Sequence, residues 1–314
     1  MTRNAGQSAQ VSRRMFNVLG ASGVASLLSH RRAQPVAERN ADLDLRLFKT
    51  TFSTNFANPN SKIFRTEGGP FGTRYERWSG IRTLVPNKEQ ELYVDRSFVP
   101  SPNGTDAGGH NDAPPGTGTP AGLNPFRLEN GCLIITAQPT PHELLQTVGR
   151  PYVSGLISTD ESFFQRYGYF EMRAQLPAGQ GLWPAFWLYG TTEHYQLELD
   201  VVEALGNNTT RIYQTVRPNP KRGTMRLTPI DLDFEYSTGV HDYGLLWTPE
   251  QIVFYVDRRP KAAIDGAPYR DEVPVYMMTN LAVGGSWGGN PDSATRFPAE
   301  MRIEHIRAYQ LPGI

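Results

Sequence analysis

Three acids stand close together in Gln196-Leu197-Glu198-Leu199-Asp200-Val201-Val202-Glu203-Ala204. In an extended chain, Leu197, Leu199 and Val201 face one side, and Glu198 and Asp200 face the other. The β-branched pair Val201-Val202 suits a strand. A helix would spread the acids around its circumference among leucines. Strict alternation turns Glu203 toward the apolar side, where an unpaired carboxylate is costly. A β-bulge at Val201-Val202 would return it to the face of Glu198 and Asp200. Three carboxyls on one face repel, which keeps at least one protonated near neutral pH. One protonated acid beside one carboxylate can break a glycosidic bond. The acid protonates the leaving oxygen while the carboxylate attacks the anomeric carbon. The retaining form of that reaction needs the two carboxyls about 5–5.5 Å apart. Four strand steps span roughly 13 Å, so the side chains must lean together.

An isolated acidic triplet reads equally well as a solvated edge; its aromatic neighbours separate the two readings. In Gly181-Leu182-Trp183-Pro184-Ala185-Phe186-Trp187-Leu188, a strand puts Trp183, Ala185 and Trp187 on one face. Sugar rings present apolar C–H faces that pack on such a platform. Pro184 assigns this piece to an edge or an irregular strand.

The elements around these segments read as strands separated by turns. Leu47 to Phe52 opens the series, and Tyr169 to Leu176 alternates as a sheet with one wet face does. Gln251–Val256 and Val275–Met278 are β-rich in composition. There is no convincing helix beyond the N-terminal segment and no internal repeat. Many short strands with 30 Gly and 25 Pro predict an all-β sandwich or barrel. Residues 100–124 are almost devoid of apolar side chains and read as an insertion within one domain, 38–314.

Lysine plus arginine equals aspartate plus glutamate, 31 each, so no basic excess points to nucleic acid. The single cysteine, Cys132, has no partner for an internal disulfide and reads as a small core residue. Six scattered histidines lack metal-ligand spacing, so no catalytic metal is expected. Residues 1–37 carry arginines and no acid. Ser12-Arg13-Arg14-Met15-Phe16 and the mildly apolar Val18–Leu28 resemble a twin-arginine export signal, too short to span a membrane. Cleavage is expected after Ala33 or Ala37, with a periplasmic or secreted product.

The chain as a whole resembles glycoside hydrolase family 16, the laminarinase and lichenase group. The resemblance lies in YGYFEMRAQLPAGQGLWPAFWLYG, ELDVVEALG, VHDYGLLWTPEQIVFYVD, YMMTNLAVGGSWGG and MRIEHIRAYQ, in the family's order over roughly residues 60 to 311. The wording is closest to bacterial endo-β-1,3-1,4-glycanases acting on exopolysaccharide. The family's E-x-D-x-x-E signature is moderately specific alone and strong with WPAFW and NLAVGG. It implies a jelly-roll β-sandwich of the concanavalin A-like type with a concave substrate cleft. It further implies a retaining double displacement with Glu198 as nucleophile, Glu203 as acid/base and Asp200 as the helper of the nucleophile. Trp183, Trp187, Asn280 and Trp287 should line the glycone side, and Asn87, in a strand-like PNKEQELYVD, should contact sugar. His241 is expected to be structural.

Two positions depart from the family. Arg217 stands where relatives commonly carry histidine after Thr-Val, and could contact sugar hydroxyls or an acidic substituent. Glu304 stands where the family often supplies an aspartate to calcium, so no cofactor is required while a structural calcium remains conceivable. The partner implied is a β-linked polysaccharide, met by a monomer without a membrane span. Two other outcomes fit the same fold: a β-glucan-binding protein without catalysis, and a transglycosylase. Retention of all three acids argues against the first.

Overall fold

Where apolar and polar residues alternate between turns, the backbone pairs into strands; the two resulting sheets bury their apolar faces against each other. The computed structural model describes residues 43–58, 60–100, 118–192, 197–218 and 223–311. The export-like segment 1–37 and most of the 100–124 insertion lie outside them. In chain order the strands are β1 (Lys49–Ser53), β2 (Glu91–Tyr93), β3 (Phe126–Glu129), β4 (Cys132–Pro139), β5 (Tyr152–Ser154), β6 (Leu156–Ser158), β7 (Gly168–Gln175) and β8 (Leu182–Gly190). There follow β9 (Glu198–Ala204), β10 (Arg211–Arg217), β11 (Arg226–Asp231), β12 (His241–Trp247), β13 (Gln251–Val256), β14 (Arg259–Asp265), β15 (Val275–Val283) and β16 (Ala299–Gln310). Among the described residues the only α-helix is the single turn Leu145–Val148. None of them forms a helix long and apolar enough to cross a membrane.

A six-stranded sheet runs in the order β11-β10-β9-β8-β15-β6. The larger sheet follows β14-β13-β12-β7-β16-β4-β5-β2, with β1 on β16 and β3 on β4. The core between them joins Phe170 and Met172 of β7, Leu245 of β12 and Met301 of β16 to Phe186 and Leu188 of β8 and Leu199 of β9. Each such side chain, fully buried, contributes about 1.5–3 kcal/mol. This is the jelly-roll sandwich expected, and Cys132 is buried on β4 without a disulfide.

Two local expectations are sharpened. The outer side of β7 is wet over only part of its length: Tyr169 and Glu171 are fully buried, while Arg173 and Gln175 stay partly exposed. Leu43, Leu45 and Phe48 pack over that side beside Tyr169. Of the edge and irregular positions open to Pro184, the structure has the irregular one: β8 lies between β9 and β15, and its register on β9 shifts between Phe186 and Trp187. Leu182 O accepts from Gly206 N and Gly190 N donates to Leu197 O, so even-numbered residues of β8 turn their backbone toward β9. Position 184 therefore faces β9 without an N–H to give, and the β8–β9 ladder ends at Ala185↔Glu203, one residue short of Pro184.

Candidate active site

Strand β9 carries one residue more than either neighbour. Against β10 the pairs run Arg217↔Glu198, Val216↔Leu199, Thr215↔Asp200, then Tyr213↔Glu203. Against β8 they run Tyr189↔Glu198, Trp187↔Asp200, then Phe186↔Val202 and Ala185↔Glu203. The extra residue is Val201, and it makes the bulge anticipated from the sequence. Val201 and Val202 are both fully buried in the core. The side-chain amide of Gln214, opposite the bulge, lies 3.4 Å from the Val201 carbonyl that the ladder leaves free. The kink is therefore held by two buried apolar side chains and a weak polar contact.

The consequence is a lattice of three rows on the face away from the core. Tyr189, Glu198 and Arg217 form one row across β8, β9 and β10; Trp187, Asp200 and Thr215 form the next; Ala185, Glu203 and Tyr213 form the third. The bulge brings all three acids to one face. Glu203 leans back toward the middle row, with Oε2 at 3.4 Å from the Thr215 hydroxyl, and its Oε1 lies 3.3 Å from Trp183 Nε1. Both are long contacts, so Glu203 is only weakly held. Burial and then the charge of Glu198 push its carboxyl up to about 7. Asp200 is 5 % exposed; burial, then the charges of Glu203 and Glu198, put it well above the usual carboxylate range. Arg217 Nε lies 2.8 Å from Glu198 Oε1, although it is not aligned for a hydrogen bond.

The flanking residues divide into two groups. Trp183 and Trp287 meet edge to face with ring centroids 5.2 Å apart, and Trp287 also meets Tyr213 at 4.8 Å. All three rings are half-buried, beside Glu203. Trp187 and Asn280 are instead sunk into the floor, each 6 % exposed. Trp187 Nε1 donates to Asn280 Oδ1 at 2.9 Å, and Asn280 Nδ2 donates to the Tyr93 oxygen at 2.9 Å. Tyr75 stacks on Trp78, and Trp78 tilts over Trp187. These two support the site and offer at most an edge to a ligand.

Asn87 lies in the 3-10 turn Val85–Asn87 rather than on a strand. Its amide donates to the buried Glu89 at 2.8 Å, while its backbone carbonyl accepts from Ser286 N beside Trp287. Arg217 turns its guanidinium to the carboxylate of Glu198 while its side chain stays 43% exposed. His241 is structural as expected: Nδ1 sits 2.9 Å from Asp257 and the ring stacks on Phe234. Tyr213, Thr215 and Tyr189 were not singled out from the sequence. Period-two alternation through Arg211–Arg217 would have placed Tyr213 and Thr215 beside Arg217.

The residues on the opposite sheet fit a divalent cation poorly. Glu304 is paired with Arg173 at 2.7 Å. Glu171, Asp242 and His305 bring their ligand atoms within 4.8 Å of one another. Arg258, however, holds both oxygens of Glu171, at 2.9 and 3.0 Å. Calcium takes six to eight oxygen ligands; here guanidinium groups fill that role. A cavity of about 520 Å³ lies elsewhere, lined by residues such as Phe64, Arg82, Asp95 and Phe98, and none of the acid rows borders it.

Comparison with known proteins places this arrangement. Residues 127–307 match the family model described as "Glycosyl hydrolases family 16". The chain is 38% identical over 230 residues to the endo-1,3-1,4-beta-glycanase ExsH of Rhizobium meliloti (strain 1021), covering 73% of this chain and 45% of the relative. It is 37% identical over 272 residues to the endo-1,3-1,4-beta-glycanase EglC of the same organism, covering 86% and 53%. The chain thus spans about half the length of these curated relatives. Among solved structures, the laminarinase of Rhodothermus marinus superposes with a TM-score of 0.61 at 25% identity, covering 84% of this chain and 97% of that one. The laminarinase catalytic domain of Thermotoga maritima MSB8, with a TM-score of 0.65 at 24% identity, covers 84% and 98% and shares the fold.

Proposed function

The chain belongs to glycosyl hydrolase family 16, and we propose that it is a retaining endo-hydrolase cutting internal β-1,3 or β-1,3-1,4 linkages of a glucan or bacterial exopolysaccharide. The observation that carries this reading is the bulge at Val201, which sets Glu203, its carboxyl pushed up to about 7, on the same face as Glu198. In the first step a Glu198 oxygen bonds to the anomeric carbon, the glycosidic C–O bond breaks, and Glu203 gives its proton to the leaving oxygen. In the second, water gives a proton to Glu203, its oxygen takes the anomeric carbon, and the Glu198 ester bond breaks. Asp200, buried on the same face with its carboxyl well above the usual carboxylate range, can stay neutral rather than add a second negative charge. Trp183, Trp287 and Tyr213 give sugar rings an apolar wall.

The linkage is supported by the relatives named endo-1,3-1,4-beta-glycanase. The test is to incubate the protein with laminarin, mixed-linkage β-glucan and an acidic exopolysaccharide, and to size the products over time. Early appearance of mid-length fragments with the β-anomer at the new end supports the reading. Binding to any of these polymers without cleavage overturns it in favour of a lectin-like role. The twin-arginine-like segment supports a periplasmic or secreted site for this activity. Fusing residues 1–40 to a folded reporter and locating it by fractionation tests that placement.

A further inference from the structure

Glu198 has an unusual neighbourhood for a carboxylate that must stay free to attack. Asp200 and Glu203 share its strand and face, Tyr189 stands across it on β8, and Tyr276 lies next along that row on β15. All four either carry negative charge or acquire it by losing a proton. Arg217 is the cation of this set. It ends β10 directly opposite Glu198, with Nε 2.8 Å from Oε1. The next pair along β10, Thr215↔Asp200, offers a hydroxyl instead.

We propose that Arg217 is a positioning residue that holds Glu198 in place for attack and offsets the site's one negative charge as that charge passes from Glu198 to Glu203. This rests on the hydrolase reading above. When the Glu198 ester forms, its negative charge disappears, and Glu203 becomes anionic as its proton passes to the leaving oxygen. The site holds one full anion and one guanidinium before and after the step. The cation lies against Glu198 and two rows from Glu203, so it favours the poised state in which Glu198 carries the charge. Lysine could supply the charge without the planar fork; glutamine could supply neither.

The experiment compares Arg217→Gln and Arg217→Lys with the native chain through pH profiles of kcat/KM on whichever β-glucan is cleaved. An opposite charge within a few ångströms shifts a carboxyl by about one to three units. Arg217 is 43% exposed, so the lower end applies. In Arg217→Gln the basic limb, set by Glu203, should move up by up to about one pH unit, a change of up to about tenfold in that proton's affinity. Arg217→Lys should return most of the shift. A loss equal at every pH, with neither limb moved, would overturn the inference and make Arg217 a packing residue.

Carbon-13 NMR of the glutamate carboxyls follows Glu203 without turnover. Its midpoint near 7 should rise in Arg217→Gln. An unmoved midpoint sinks the charge balance even if the native chain cleaves glucan. A native chain that cleaves none sinks the hydrolase reading instead.

Discussion

The molecule carries two carboxyl clusters, one on the outer face of each sheet, and they meet burial in opposite ways. On the larger sheet Glu171 is fully buried. Burial alone would raise its pKa, yet hydrogen bonds from His305 and Arg258 draw it down to about 2. Arg173 holds Asp242 and Glu304 beside it. On the smaller sheet Glu198, Asp200 and Glu203 share a single guanidinium among the described residues, and Glu203 is driven up to about 7. Similar residue types therefore draw Glu171 down in one place and push Glu203 up in the other, although Asp242 of the first cluster, its Oδ1 buried without a partner, is raised by burial and by the charge of Glu171. The difference is the number of cations per acid. A cluster supplied with counter-ions stabilises the fold; one deprived of them retains a proton that chemistry can use.

Disabling the deprived cluster should have the largest effect on activity. Glu198→Gln removes the attacking carboxylate, and hydrolysis should fall by about 10⁴-fold or more. Glu203→Gln should cost about 10²–10⁴-fold on polysaccharide but far less on an aryl glycoside, whose leaving group needs no proton. Equal losses on both substrates would mean that Glu203 is not the acid. Deleting Val201 tests the lattice itself. Without the extra residue, strict alternation turns Glu203 toward the core, and activity should vanish as in Glu198→Gln. A deletion variant with activity near native would remove the geometric basis of the assignment.

The supplied cluster should respond in the other currency, stability. Breaking a buried ion pair by removing one partner costs about 3–5 kcal/mol. The Arg258 side chain is 36% exposed, so solvent screens part of the pair and about 2 kcal/mol is the expected loss for Arg258→Met. Urea unfolding reads that loss, while kcat/KM at the optimum should stay within about twofold because Arg258 lies on the other sheet. A stability change below a few tenths of a kcal/mol would show that the contrast between the clusters is not one of counter-ion supply.

Much of this contrast was legible in the sequence, and the remainder depended on partners far away in the chain. The bulge could be anticipated because alternation through Leu197–Val202 leaves Glu203 on a side where a carboxylate is costly. The strand character of β13 and β15 follows from β-branched and aromatic content. The wet face expected for β7 holds at Arg173 and Gln175 but not at Glu171, which is covered by residues more than 80 positions distant, Arg258 and His305. Local alternation cannot register that. The same holds for Trp187, whose fate was settled by Trp78 and Tyr75 folding over it. Arg217 was visible as a departure from the family, but its contact with Glu198 requires the register of β9 on β10, which the bulge sets.

The smallest expected effect separates the clusters by the sign of their pH dependence. Glu203 rises from 4.5 to about 7 on folding, so the folded state binds more protons than the unfolded one between those values. Its contribution to stability is complete below about 4.5 and is lost as pH climbs through about 7. Glu171 falls from 4.5 to about 2; its contribution is complete above about 4.5 and is lost as pH drops through about 2. Thermal unfolding of Glu203→Gln should therefore run nearly parallel to the native curve below pH 4 and gain about 1–2 kcal/mol relative to it by pH 8. That figure is reduced from the full shift because Glu203 is only half-buried. Glu171→Gln should diverge in the opposite sense, losing most relative to native above pH 5 and least near pH 2. If both substitutions changed stability by the same amount at every pH, neither acid would owe its proton affinity to its cluster, and the distinction between a supplied and a deprived site would have to be abandoned.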